Sequence, residues 1–253
     1  MNWKDVTVWQ WQQIQVLSDK KDSIKDYDLI LETVAILQHK TKQEILALDK
    51  NKINQIVKDI EFLNNSNPEI KAVNFIRVGK KKYKCNYDAK FSPAGRYIET
   101  KYFLNDIKAN LHKIGASMIL PMRPTWRGWK EDKYESKYHI DYAEDLLSAP
   151  FEQVFGSVMN WITNIKNLDS GFKGLFNSEG KGEVEDSRQV KNSFMNQFGW
   201  IYQASLISEH EKIKLEDVFE LPTIQFLNDL SYISAKINYD NEQRKKISGN
   251  KYN

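Results

Sequence analysis

The sequence predicts a mainly α protein (α+β), a multi-helix assembly with one β-hairpin inserted around residues 72–88. Three observations carry this. Only 11 glycines and 6 prolines punctuate the 253 residues, and a chain so poor in turn formers favours helix over a turn-rich sheet. Apolar residues recur at steps of three and four along most of the chain, the period of a helix with one buried face. Only between Ala72 and Tyr87 does the period shorten to two, the period of a strand.

The elements follow in order. Thr7 with Gln10 forms a capping box before Trp11, Ile14 and Leu17, which share one helical stripe. Asp26 and Asp28 precede Leu29, Ile30, Val34 and Leu37, and a second capping box, Thr41 with Glu44, precedes Ile45 and Leu48. Asp49 opens a helix carrying Ile53, Ile56, Val57, Ile60 and Leu63, which the turn formers Asn64 to Asn67 and Pro68 end. The hairpin pairs Ala72–Val78 with Lys82–Tyr87 across Gly79-Lys80-Lys81. Ser92-Pro93 starts the next helix, with proline in its tolerated first position, and Asn105 another, bearing Ile107, Leu111, Ile114 and Met118.

Pro121 to Glu135 reads as the longest irregular stretch of the middle region. Beyond it Tyr138, Tyr142, Leu146 and Leu147 mark one helix. Pro150 opens another, whose face of Phe151, Val154, Phe155, Val158, Trp161, Ile162 and Ile165 is the expected centre of the core. Four glycines between 169 and 186 read as a flexible loop or linker. Helix resumes from Ser187 with Val190, Phe194, Phe198, Ile201 and Tyr202, and a last helix from Pro222 carries Phe226, Leu227, Leu230, Ile233 and Ile237. The expected organisation is a helical subdomain over 1–67, hairpin plus helical core over 68–168, the loop over 169–186 and a helical segment over 187–253.

Composition narrows the function classes. An apolar fraction of 41 % and an aromatic fraction of 12 % exclude a disordered chain. With 37 basic and 34 acidic residues the net charge is +3, which gives no global argument for a polyanion partner. The single cysteine, Cys85, has no intramolecular disulfide partner, so a reducing interior fits. No window reaches the roughly 18 apolar residues of a membrane span, and Met1 to Asp5 does not begin a signal peptide. No membrane segment is expected.

Catalytic signatures are missing: there is no phosphate loop, dinucleotide-binding glycine triplet, nucleophile elbow or His-Glu-x-x-His pair. His39, His112, His139 and His210 are isolated in sequence. Only His139 has close carboxylates, Asp141, Glu144 and Asp145, and a solvated acidic helix face outweighs a metal site there. Cys85 shares a strand face with Tyr83 and Tyr87, which favours packing over nucleophilic chemistry. The expectation is a non-enzyme with no catalytic, cofactor or metal site.

Charge is segregated, however. Between Arg77 and Lys137 stand 15 Lys and Arg against 6 Asp and Glu, so the rest of the chain is net acidic. Within this stretch Lys80, Lys81 and Lys82 crowd the hairpin turn, and Arg123, Arg127 and Lys130 interleave with Trp126 and Trp129. Trp and Arg are the enriched anchors of protein interfaces, and these eight residues are the interface candidates. A merely solvated loop and a grip on single-stranded nucleic acid are the alternatives, and no RNA- or DNA-binding motif supports the latter. A basic middle with acidic flanks also suits head-to-tail assembly into a homo-oligomer or ring.

Several stretches resemble virion and tail-assembly proteins of tailed phages, crAss-like phages of Bacteroidetes hosts in particular. They are the opening Asn2 to Trp11, the run Ile53 to Leu63, the hairpin followed by Gly95-Arg96-Tyr97-Ile98-Glu99, and Asn110 to Ile114. The similarity spans residues 1–165. It implies a non-enzymatic ring, adaptor or cargo protein of the portal and tail, in the virion and in the host cytoplasm during assembly, with other phage structural proteins as partners. The part from Asn192 to Ile247, with Phe198-Gly199-Trp200-Ile201-Tyr202 and Leu215 to Pro222, is similar instead to tail-assembly chaperones. A chaperone absent from the mature particle is the alternative function.

Overall fold

Local capping starts the helices that open the chain. Thr7 and Gln10, and again Thr41 and Glu44, form reciprocal capping boxes, and the Asp49 carboxylate accepts from the amides of Asn51 and Lys52. In chain order the helices are α1 (Val8–Asp19), α2 (Asp26–Leu37), α3 (Lys42–Leu46), α4 (Lys50–Asp59), α5 (Phe62–Asn65), α6 (Ala94–Phe103), α7 (Ile107–Met118), α8 (His139–Leu147), α9 (Phe151–Ser170), α10 (Lys173–Phe176), α11 (Glu185–Glu211), α12 (Leu215–Glu220) and α13 (Thr223–Gly249). The strands are β1 (Phe75–Val78), β2 (Lys81–Cys85), β3 (Ile119–Thr125) and β4 (Gly128–Glu131). The computed structural model describes residues 1–65, 68, 70–176 and 185–249, leaving aside the side chains of 65, 176, 185–197, 248 and 249. The protein is mainly helical, with one antiparallel sheet in the order β1-β2-β3-β4.

The sheet is twice the size the sequence suggested. Residues 121–135, read as irregular, hold most of β3 and all of β4, a second hairpin with register Arg123↔Lys130 and Thr125↔Gly128. Two prolines obscured it, since proline cannot donate to a ladder. Both sit where no donor is needed: Pro124 faces Trp129 in a pair that exchanges no hydrogen bonds, and Pro121 serves through its carbonyl, which accepts from the Asp132 amide at 2.8 Å. Helix also intrudes on the expected glycine-rich loop, because α9 runs to Ser170, α10 covers 173–176 and α11 begins at Glu185. The remaining residues of that loop, 177–184, lie outside the described residues.

By internal contacts the chain forms two units, residues 1–87 with 100–162, and residues 88–99 with 163–253. The division falls inside α6 and inside α9. In the first unit the core gathers on α9, where Phe151, Val154, Val158, Trp161 and Ile162 are buried, as the spacing predicts. Trp11 stacks on Phe151 with ring centroids 4.7 Å apart, and the buried Trp161 indole donates to Thr100 Oγ1 at 2.8 Å. Gln12 Nε2 donates to the carbonyls of Lys108 and Ala109, tying α1 to α7. The second unit packs Tyr97, Ile207, Val218, Phe226 and Leu227 into its own core. Its Tyr97 hydroxyl donates to Asp169 at 2.6 Å.

Candidate interaction surface

Antiparallel pairing decides where the basic residues meet. The β1–β2 hairpin turns at Gly79-Lys80 and the β3–β4 hairpin at Trp126-Arg127. Because β2 and β3 are themselves antiparallel neighbours, with Lys82↔Met122 and Cys85↔Ile119 in register, both turns project from the same end of the sheet. Gly79 adopts φ 55° and Gly128 φ 115°, conformations that glycine supplies without steric cost. All eight interface candidates thus lie at or beside one end of one sheet.

Alternation then divides them between faces. Lys82 and Trp129 lie on the outer face with Phe75, Arg77 and Met122. Lys81, Arg123 and Lys130 lie on the face that β2 turns toward α8. Lys80, Trp126 and Arg127 occupy the tips. The Arg127 guanidinium lies over the Trp126 ring, 4.2 Å from its centroid, and that ring is 87 % exposed. Lys82 Nζ lies 4.0 Å from the Phe75 centroid and 5.7 Å from that of Trp129. Each cation thereby sits on an aromatic face.

Two carboxylates engage the inner and outer lysines. Asp145 of α8 accepts from Lys81 Nζ at 2.7 Å and from the Tyr83 hydroxyl. Burial, with the Asp145 carboxylate second, holds the Tyr83 hydroxyl well above its ordinary range, so it stays a donor. Lys84 pairs with Glu131 across the outer face. At this end of the sheet a cavity of about 360 Å³ is lined from the strands by Lys81, Tyr83 and Trp129 and from the helical side by Tyr138, Tyr142 and Asp145, among others. Arg123, Trp126, Arg127 and Lys130 are exposed. The surface therefore presents positive charge on flat aromatic and aliphatic supports.

Sequence reading missed Phe75, Met122, Tyr83 and Asp145 as members of this site. The alternation of Lys82 and Lys84 with Tyr83 and Cys85 carried part of that signal, whereas Asp145 joins through a contact 62 residues away in sequence. The remaining candidates have local partners. Cys85 is buried with its Sγ 3.9 Å from Ser157 Oγ, and burial pushes its thiol up, away from the reactive thiolate. His139 Nδ1 lies 2.9 Å from the Tyr134 hydroxyl, and its ring stacks on Phe103. Among the described residues no three His, Cys, Asp or Glu side chains converge as a metal site, and no helix is long and apolar enough to cross a membrane. Comparison with protein-family models, curated proteins and solved structures gives no match to this chain.

Proposed function

We propose that this chain is a non-enzymatic structural component of a tailed-phage portal or tail assembly, acting through protein–protein contact at the basic end of its sheet. One observation carries the contact reading: a tryptophan 87 % exposed at a hairpin tip, with a guanidinium stacked on it. Leaving an indole in water is costly, and Trp with Arg is the pair most enriched where binding energy concentrates. The setting in a portal or tail follows from the resemblance of residues 1–165 to virion proteins.

Mass spectrometry of purified particles tests this. The chain is expected at stoichiometric levels, and the double variant Trp126→Ala, Arg127→Glu is expected to fold and to be left out of the particle. Normal incorporation of that variant would remove the sheet end from the contact. A second reading, the tail-assembly chaperone, is favoured by Phe198, Ile201 and Tyr202 on α11, which are 41 %, 52 % and 42 % exposed. Expression of the chain together with its absence from particles would select that reading.

A further inference from the structure

β4 is the outer strand of the sheet, and all four of its residues are exposed. The phase of the ladder fixes which of its backbone groups are used. Thr125↔Gly128 closes the hairpin, Arg123↔Lys130 is the next pair to exchange hydrogen bonds, and the Asp132 amide donates to Pro121 O at 2.8 Å in the same phase. Gly128 and Lys130 therefore bond inward to β3. The N–H and C=O groups of Trp129 and Glu131 point away from the sheet, and among the described residues no strand lies beyond them. β1, the opposite outer strand, is half buried through Ile76 and Val78.

From this geometry we infer that the open edge of β4 takes an extended acidic segment of a partner protein as a fifth strand. The inference rests on reading this sheet end as an interface and specifies how that interface binds. Strand addition draws affinity from main-chain hydrogen bonds and specificity from alternate side chains. Here the alternate positions offer Trp129, with Glu131 paired to Lys84, on one face and Lys130 on the other. Arg127 stands at the turn, and Asp132 and Lys133 follow the strand, so three cations face two carboxylates from Arg127 to Lys133. An incoming strand that alternates carboxylates with apolar residues meets Lys130 with the former and lays the latter over Trp129.

Charge selects this occupant over a second copy of the chain. Two β4 edges paired antiparallel so that the outward-pointing Trp129 and Glu131 of each copy meet would set Lys130 against Lys130, and like charges directly opposite are destabilising. A strand this short also gives few backbone bonds, so the flanking cations supply much of the attraction, and salt weakens them.

The test uses the full chain at low salt and an acetylated peptide of about eight residues alternating Glu and Val, labelled for fluorescence anisotropy. Glu131→Pro removes one outward N–H while leaving both bonds of the Arg123–Lys130 pair, and Lys130 before it is already extended. Glu131→Gln removes the same carboxylate and its pairing with Lys84 but keeps the N–H. The parent chain and Glu131→Gln are expected to bind the peptide, and Glu131→Pro to bind it roughly tenfold more weakly than Glu131→Gln. In the parent chain, peptide should slow hydrogen exchange at the Trp129 and Glu131 amides, a readout independent of any variant's folding. Equal binding by the two Glu131 variants, with loss in Arg127→Glu plus Lys130→Glu, would overturn strand addition and leave the basic interface standing. No binding by the parent chain would overturn the acidic strand, with incorporation into particles then judging the interface by itself. A dimer of the chain alone, lost in Glu131→Pro, would overturn the inference in favour of a second copy.

Discussion

Gly156 lies in the middle of α9, and a Cβ built there would stand 2.5 Å from the carbonyl oxygen and 2.7 Å from the amide nitrogen of Lys71. Those are backbone atoms, held beside α9 by the Val73 amide, which donates to Ser157 Oγ at 3.2 Å. They have little room to retreat, so Gly156→Ala should cost about 1–3 kcal/mol, read as a lower urea midpoint at unchanged slope. Gly115 makes the contrast. Its nearest neighbour, Leu146 Cδ1 at 2.8 Å, is the far end of a flexible side chain, so Gly115→Ala should cost less. Burial first, then the nearby Lys113 charge, lowers His112 from its ordinary 6.5 to about 4. The unfolded chain therefore binds more protons between these values, and the stability from neutral His112 is complete above pH 6.5 and is lost as pH falls toward 4. Part of the ring still meets solvent, which holds the effect to the order of 1 kcal/mol. His112→Phe should flatten the unfolding midpoint over that window relative to the parent chain.

Helices and strands differ in how far neighbours in sequence determine them. Gln10 shows how one residue can start an element and dock it. Its Oε1 accepts from the Thr7 amide at 2.9 Å, and its Nε2 donates to the Leu37 carbonyl at 3.1 Å, at the end of α2. Thr7→Ala removes only the cap and should cost about 1 kcal/mol. Gln10→Ala also leaves buried groups unpaired and should cost about 2–3 kcal/mol, the ordering to be checked by thermal unfolding of both variants. The capping boxes were legible in the sequence because they close within four residues, and so was the face of α9, because its period is local. β3 and β4 were not, because two prolines in a seven-residue strand argue against a strand until the register shows that neither nitrogen is needed. The candidate surface was legible in part for the same reason. Composition marked Arg123, Trp126, Arg127, Trp129 and Lys130, and Lys80 to Lys82 apart from them, but only the β2–β3 pairing sets both groups at one end.

For the whole molecule the deciding quantity is the distribution of charge. A net charge of +3 predicts little, whereas Lys80, Lys81, Lys82, Arg123, Arg127 and Lys130, gathered at one end of one small sheet, create a local positive field of the kind that would steer an acidic partner. Such a field acts through water and falls within a Debye length, about 10 Å at 0.1 M salt. The fold relies on it far less. In the ion pairs that flank the sheet the lysines reach water, Lys81 at 62 % and Lys84 at 40 %, even where the partner is more sheltered, as Asp145 is at 20 %, and pairs open to solvent on one side or both contribute about 0–1 kcal/mol. Stability and association should therefore separate under salt. Raising salt from about 0.05 to 0.5 M should slow association with an acidic peptide at least tenfold, with most of the loss in the on-rate, while the thermal midpoint of the chain moves by only a few degrees. Stopped-flow association and calorimetry on the same preparation check both halves. An on-rate indifferent to salt would show that the tryptophans bind without the cations, and a midpoint falling steeply would show that the cations serve the fold.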